Sequence, residues 1–197
     1  MLNTRSVLGT TRVLGIDPGS RVLGWGVVES AGRGGVQHVA HGVFRLDATA
    51  PLERRLAELF GLLTEALALH APAAVAVEGV FSFRNARSAL VLGQARGVAL
   101  LVAARANLPV FEYAPAAVKR AVGVGGAGAK EAVSRAVCGF LGLPKAPRAD
   151  ATDALAVAVC HLHRSGSPVP LRRRGQPPPG FAERLRPAVA RPARSVP

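Results

Sequence analysis

RVLGIDPGSRVLGWGVVE, residues 12–29, reads as a strand, a tight turn and a second strand. Val13, Leu14 and Ile16 make a short apolar run, Pro18-Gly19 is a turn signal, and Val22 to Val28 is β-rich again. Asp17 falls where the first strand ends. A glycine beside it lets a bulky ligand approach the backbone, and the glycines at 15, 19, 24 and 26 keep both strands slim. Asp17 then has two readings, a turn starter or a carboxylate projecting at the sheet edge toward a ligand. The stretch alone leaves both open.

Working outward, a third strand is expected at about 36–46, joined through Gly32 to Gly35. Pro51 opens a helix over 51–69, with Leu52, Leu56, Leu59, Phe60, Leu63 and Leu67 on one face. AAVAVE (73–78) is a short buried strand that ends in Glu78, and the loop GVFSFR (79–84) leads to a long helix at 85–105. A strand at 109–113, a helix from Pro115, a glycine-rich loop at 123–128 and a helix at 129–141 follow. After a connector, the last helix covers 150–164 and begins with Asp150. Three successive strands followed by alternating helix and strand predict an α/β fold with a mixed five-stranded sheet flanked by helices. Residues 1–11 read as a flexible arm, 12–165 as the folded domain, and 166–197 as a disordered tail rich in Pro and Arg.

The formal charge of +13 over 197 residues points to a polyanionic partner, because clustered cations gain free energy by releasing counterions from phosphates. Seven Arg against Glu183 put +6 of that charge in the tail. Arg outnumbers Lys 22 to 3, so each Lys is more telling than another Arg. Cys138 and Cys160 are too few for a disulfide framework and read as buried free thiols. No signal-peptide core and no long uncharged apolar run are present, so a soluble, cytoplasmic protein is expected.

Asp17 and Glu78 each close an apolar strand, at the end where α/β proteins place ligands. Asp150 and Asp153, three apart at the start of the last helix, share a face. Taken alone, that pair serves equally as a dipole complement or cap. If all four converge, they require cations between them, and all-oxygen ligation suits Mg²⁺ or Mn²⁺ rather than zinc. Two such ions would stabilise both the attacking and the leaving oxygen in phosphodiester cleavage.

The segments GIDPGSRVLGWGVVE (15–29), VEGVFSFRNARSALVLGQARGVAL (77–100), PVFEYAPAAVK (109–119) and ADATDALAVAVCH (149–161) resemble, in order and spacing, the RuvC family of Holliday-junction resolving endonucleases within the RNase H-like superfamily. The resemblance implies that Asp17, Glu78, Asp150 and Asp153 are the metal-binding, catalytic carboxylates. It also implies a homodimer on a four-way DNA junction, nicking two strands of like polarity to leave 5′-phosphate and 3′-hydroxyl ends. Two Mg²⁺ per site, with Mn²⁺ as a substitute, and a branch-migration motor of the RuvA–RuvB type as partner are implied as well.

Phe81 falls at the family's loop aromatic, which stacks on unpaired bases, and Lys119 and Lys130 match basic residues near the scissile phosphate. Arg84 and Arg87 flank that loop and are candidates for phosphate contacts. Phe83 is expected under the sheet. The helix at 85–105 is apolar around much of its girth, which fits burial against both the sheet and a partner subunit, or ordinary core burial. His161 and His163, beside Cys160, lack the spacing of a metal site and read as core or surface residues. One departure is the loop GVGGAGA (123–129), which lacks the polar side chains usual in the family. Two rival readings are an ATP-using enzyme of the actin and sugar-kinase type, whose second phosphate loop is poorly matched here, and a non-catalytic junction-binding protein.

Overall fold

The central strand β1 (Arg12–Asp17) pairs antiparallel with β2 (Val22–Ala31) and parallel with β4 (Ala74–Glu78). The computed structural model describes residues 10–19, 21–79, 86–124 and 130–165. With β3 (Gly35–Arg45) beyond β2 and β5 (Val110–Tyr113) beyond β4, the sheet order is β3-β2-β1-β4-β5. The helices are α1 (Leu52–His70), α2 (Ala86–Arg105), α3 (Pro115–Ala121), α4 (Lys130–Leu141) and α5 (Ala149–Ser165). These boundaries lie within about two residues of the sequence expectation.

Alternation along the strands divides the apolar residues between two layers. Leu14, Ile16, Leu23, Val27, Val75 and Val77 pack against α1 and α2. Val13, Val28 and Ala76 face α3, α4 and α5. Arg12 ties the start of the sheet to the end of α1. Its guanidinium donates to Glu29 at 2.7 and 3.0 Å and to the His70 carbonyl at 2.7 Å. Helix α1 ends one residue later at Ala71, whose backbone is left-handed and whose N–H donates to the Leu67 carbonyl at 3.0 Å.

Helix α5 is buried along nearly its whole length, from Ala151 to His161 apart from Asp153. Glycines admit it. A β-carbon placed on Gly15 would stand 2.0 Å from the Ala154 carbonyl oxygen, and one on Gly24 would stand 1.9 Å from that of Asp150. Gly26 meets the Leu155 side chain in the same way, at 2.6 Å. The small residues Ala154 and Ala158 complete the contact from the helix side.

Two features were not expected. The β2–β3 register shifts between Val27 and Val28, so Val39 is an extra residue on the edge strand. His38 and His41, three apart, thereby share a side of the strand and hydrogen-bond at 2.7 Å. Of the two thiols, Cys160 is buried, but Cys138 is only half-buried, because it lies at the margin of the buried stripe of α4. His161 is core and His163 is exposed. Phe83 and the tail lie outside the described residues. Among the described residues no helix is long and apolar enough to cross a membrane.

The glycine contacts give a direct expectation. Gly15→Ala forces α5 off the sheet and costs about 3 kcal/mol or more, as overpacking does in tight cores. Gly61→Ala, in mid-α1 with open space where its β-carbon would go, should stabilise by roughly 0.5–1 kcal/mol. Urea melts followed by circular dichroism measure both.

Candidate active site

The parallel register Ile16↔Val77 carries the next residues, Asp17 and Glu78, to neighbouring positions on one edge of the sheet. Asp17 also pairs across β2 with Gly24, the glycine on which the Asp150 backbone rests. The first turn of α5 therefore stands over the end of β1, and Asp153 follows on the same side, a turn further along. Thr152 anchors that turn, its N–H at 2.9 Å and its hydroxyl at 3.1 Å both donating to the Arg148 carbonyl.

The acids feel one another. Burial pushes the Asp17 carboxyl up to about 8, and the charges of Glu78, Asp153 and Asp150 add to the shift, against a smaller opposing pull from Lys130. Glu78 is raised by burial and by Asp153, with Lys119 and Lys130 acting the other way. Asp153 is raised by burial and by Asp150, again opposed by Lys130 and Lys119. Four carboxylates from β1, β4 and α5 thus share one electrostatic field with two lysines. Lys119 reaches it from the last turn of α3 and Lys130 from the start of α4.

Among the described residues no three His, Cys, Asp or Glu side chains already form an ion cage. The donor set is nevertheless entirely carboxylate oxygen, and burial together with mutual repulsion leaves it short of positive charge. That chemistry fits a hard divalent cation. A separate cavity of about 400 Å³, lined by Phe60, Leu67, Val102, Arg105 and Leu108, opens at the opposite end of the sheet, where α1 and α2 finish, away from the acids.

Phe81 and Arg84 lie outside the described residues, as does the glycine-rich stretch 125–129; Arg87 is in the first turn of α2, with only its backbone described. Sequence reasoning passed over Tyr113. The residue occupies the last position of β5 opposite Glu78, and its hydroxyl meets the buried ring of His161 at 2.8 Å. Its position, closing an apolar strand as Asp17 and Glu78 do, was the available signal.

The sheet order and the acids gathered on one edge define a nuclease of the RNase H-like class. Residues 13–161 match the profile of crossover junction endodeoxyribonuclease RuvC, and the chain belongs to that family of metal-dependent enzymes that resolve Holliday junctions. It is similar to the RuvC of Myxococcus xanthus, 59% identical over 92% of this chain and 98% of the relative. The RuvC of Sorangium cellulosum is 47% identical over 91% and 98%. Among solved structures, Thermus thermophilus RuvC in complex with a Holliday junction substrate aligns with a TM-score of 0.75 at 37% identity, covering 79% of this chain and 94% of that one.

The raised acids fix the sign of a pH effect. Asp17 has an ordinary value of 3.8 and a folded value of about 8, so between these limits the native state holds a proton that the unfolded chain releases. Without metal, the Asp17 contribution to stability is fully present below about pH 4 and is lost as pH rises toward 8. Glu78 and Asp153 act in the same direction. In EDTA at pH 8.5, Asp17→Asn should melt several degrees above the unmodified chain, about 2–4 °C for each kcal/mol of repulsion removed. At pH 4.5 the two should melt nearly together, and calorimetry at both pH values checks this.

Proposed function

We propose that this chain resolves four-way DNA junctions by hydrolysing one phosphodiester in each of two strands of like polarity, leaving 5′-phosphate and 3′-hydroxyl ends. The observation that carries this reading is Asp17 buried in the field of Glu78, Asp150 and Asp153 beside two lysines. Family membership supports the choice of substrate.

In this reading Asp17, Glu78, Asp150 and Asp153 hold two divalent cations, Mg²⁺ with Mn²⁺ as a substitute. Those ions would supply charge stabilisation to the attacking water and to the departing 3′ oxygen. The protein's own contribution is placement. Asp17 and Glu78 are fixed by strand register, and Asp150 and Asp153 by the seat of α5 on the glycines. Lys119 and Lys130 hold the scissile phosphate against the acids, which would otherwise repel it. Phe81 stacks on unpaired bases at the junction, while Arg84 and Arg87 grip the backbone beside it. Loop 123–129 can offer DNA only its backbone, which weakens side-chain reading of sequence at the cut.

The working unit is a homodimer, with one active site for each strand cut. Leu90 and Leu101 leave 65% and 52% of their surface exposed on α2, while Ala95, Ala99 and Val102 of the same helix are buried. An apolar face of that kind supports a subunit contact. A branch-migration motor complex of the RuvA–RuvB type presents the junction to the dimer. The basic tail from residue 166 adds affinity without specificity.

The decisive experiment offers purified protein a labelled four-way junction or a linear duplex, with Mg²⁺, Mn²⁺ or EDTA. Paired symmetric nicks confined to the junction and absent in EDTA are expected. Asp17→Asn should lower the rate by at least about 10³-fold while junction binding persists, a loss of some 4 kcal/mol of transition-state stabilisation. Equal cutting of the duplex would refute selectivity, and ATP hydrolysis without DNA would favour the kinase-like alternative. Truncation after Arg164 should weaken binding to any DNA. It should also flatten the plot of log affinity against log salt, by a slope of about 0.9 for every phosphate that the tail neutralises.

A further inference from the structure

Tyr113 sits where three site-bearing elements meet. It ends β5 directly opposite Glu78, and its carbonyl accepts a hydrogen bond of 2.8 Å from the N–H of Gly79, the residue after that acid. It is followed at once by α3, whose first turn is closed by the Ala114 carbonyl accepting from Ala117 at 2.8 Å and from Val118 at 3.1 Å, just before Lys119. Its hydroxyl reaches across to α5 and meets Nδ1 of His161 at 2.8 Å. His161 comes eleven residues after Asp150, about three helical turns, so the two share one stripe of α5. One residue therefore links, through its backbone, the strand edge carrying Glu78 and the base of the helix carrying Lys119, and, through its side chain, the helix carrying Asp150 and Asp153.

This link does not serve stability well. His161 is 1% exposed, its ring lies against Phe111 at 4.4 Å, and its Nε2 is buried with no hydrogen-bond partner. An orphaned buried polar atom is a net cost, and an apolar pair of similar size would avoid it. What the polar pair provides is direction. β5 is four residues long, at the sheet edge, paired only with β4 and largely half-buried, so backbone pairing alone holds it loosely. A short hydrogen bond to α5 is directional and fixes its position along the helix in a way that apolar contact does not.

We infer that the Tyr113–His161 hydrogen bond is a positioning contact that sets Glu78 and Lys119 against the Asp150/Asp153 pair. This rests on the nuclease reading above. Two full-length variants test it, Tyr113→Phe and the double Tyr113→Phe/His161→Leu. Four quantities are read: the metal-free melting temperature, junction affinity in EDTA, the single-turnover cutting rate on saturating junction, and the rise in melting temperature on adding Mn²⁺.

The double variant should melt without metal at or above the unmodified chain, because both polar partners are gone. It should bind the junction within about twofold, yet cut roughly 10- to 100-fold more slowly, as expected for misplaced groups. Its Mn²⁺-induced rise should shrink. Tyr113→Phe alone should show the same loss of rate with a lower melting temperature, and it carries the test should the double variant not fold. Unchanged cutting and an unchanged Mn²⁺ response in a folded variant would overturn the inference. So would a rate loss in the double variant accompanied by a matching fall in its metal-free melting temperature, or a rate loss in Tyr113→Phe with an unchanged Mn²⁺ response. If the unmodified chain does not cut junctions at all, the proposed function fails, whereas the Mn²⁺ response still decides the positioning role.

Discussion

The contact between α5 and a floor of glycines is the constraint on which the rest of the structure depends. Gly15 and Gly24 let the helix backbone lie on the sheet at a distance no side chain would permit. The helix then buries almost every residue it has, and its first turn is held over the end of β1. Any thicker floor would lift Asp150 and Asp153 away from Asp17. The core and the site are consequently solved by one packing decision, and neither can be adjusted without the other.

Charge adds a second demand. The chain carries +13 overall, yet its site concentrates acids whose hold on their protons is raised by burial and by one another's charge. Such an arrangement opposes folding in the absence of counter-charge, and two lysines only partly offset it. The cation that would perform the chemistry would also relieve the strain, so binding and stability are linked through the same four side chains. Surplus positive charge elsewhere then serves a different end, attraction of a polyanion that the acids alone would repel.

Much of this could be read from the residues. Alternating apolar strands, Pro-initiated helices and breaker residues gave all five strands and all five α-helices of the described chain, because those signals are local. The positions of Asp17 and Glu78 at strand ends were equally plain. Their adjacency was less so, since it depends on a parallel register between strands over fifty residues apart. The glycines were visible as slender strands, but the helix that they admit could not be named from the strands themselves. Likewise the Val39 bulge leaves no mark in the periodicity of β3, and the meeting of Tyr113 with His161 arises only when β5 and α5 are brought together. Local chemistry is written in order along the chain; contacts between distant elements are written only in the packing.

The placement of α5 last in the folded region has a consequence for the protein's birth. Asp17 leaves the ribosome early, and Asp153 follows more than 130 residues later. Until that helix arrives, one face of the sheet stays uncovered, and half of the acids do not yet exist. A chain broken off at any earlier point thus lacks both the helix that closes its core and half of the proposed metal-binding acids. On the proposed assignment of the site, closure of the core and completion of the set of acids are a single late event in the chain's synthesis.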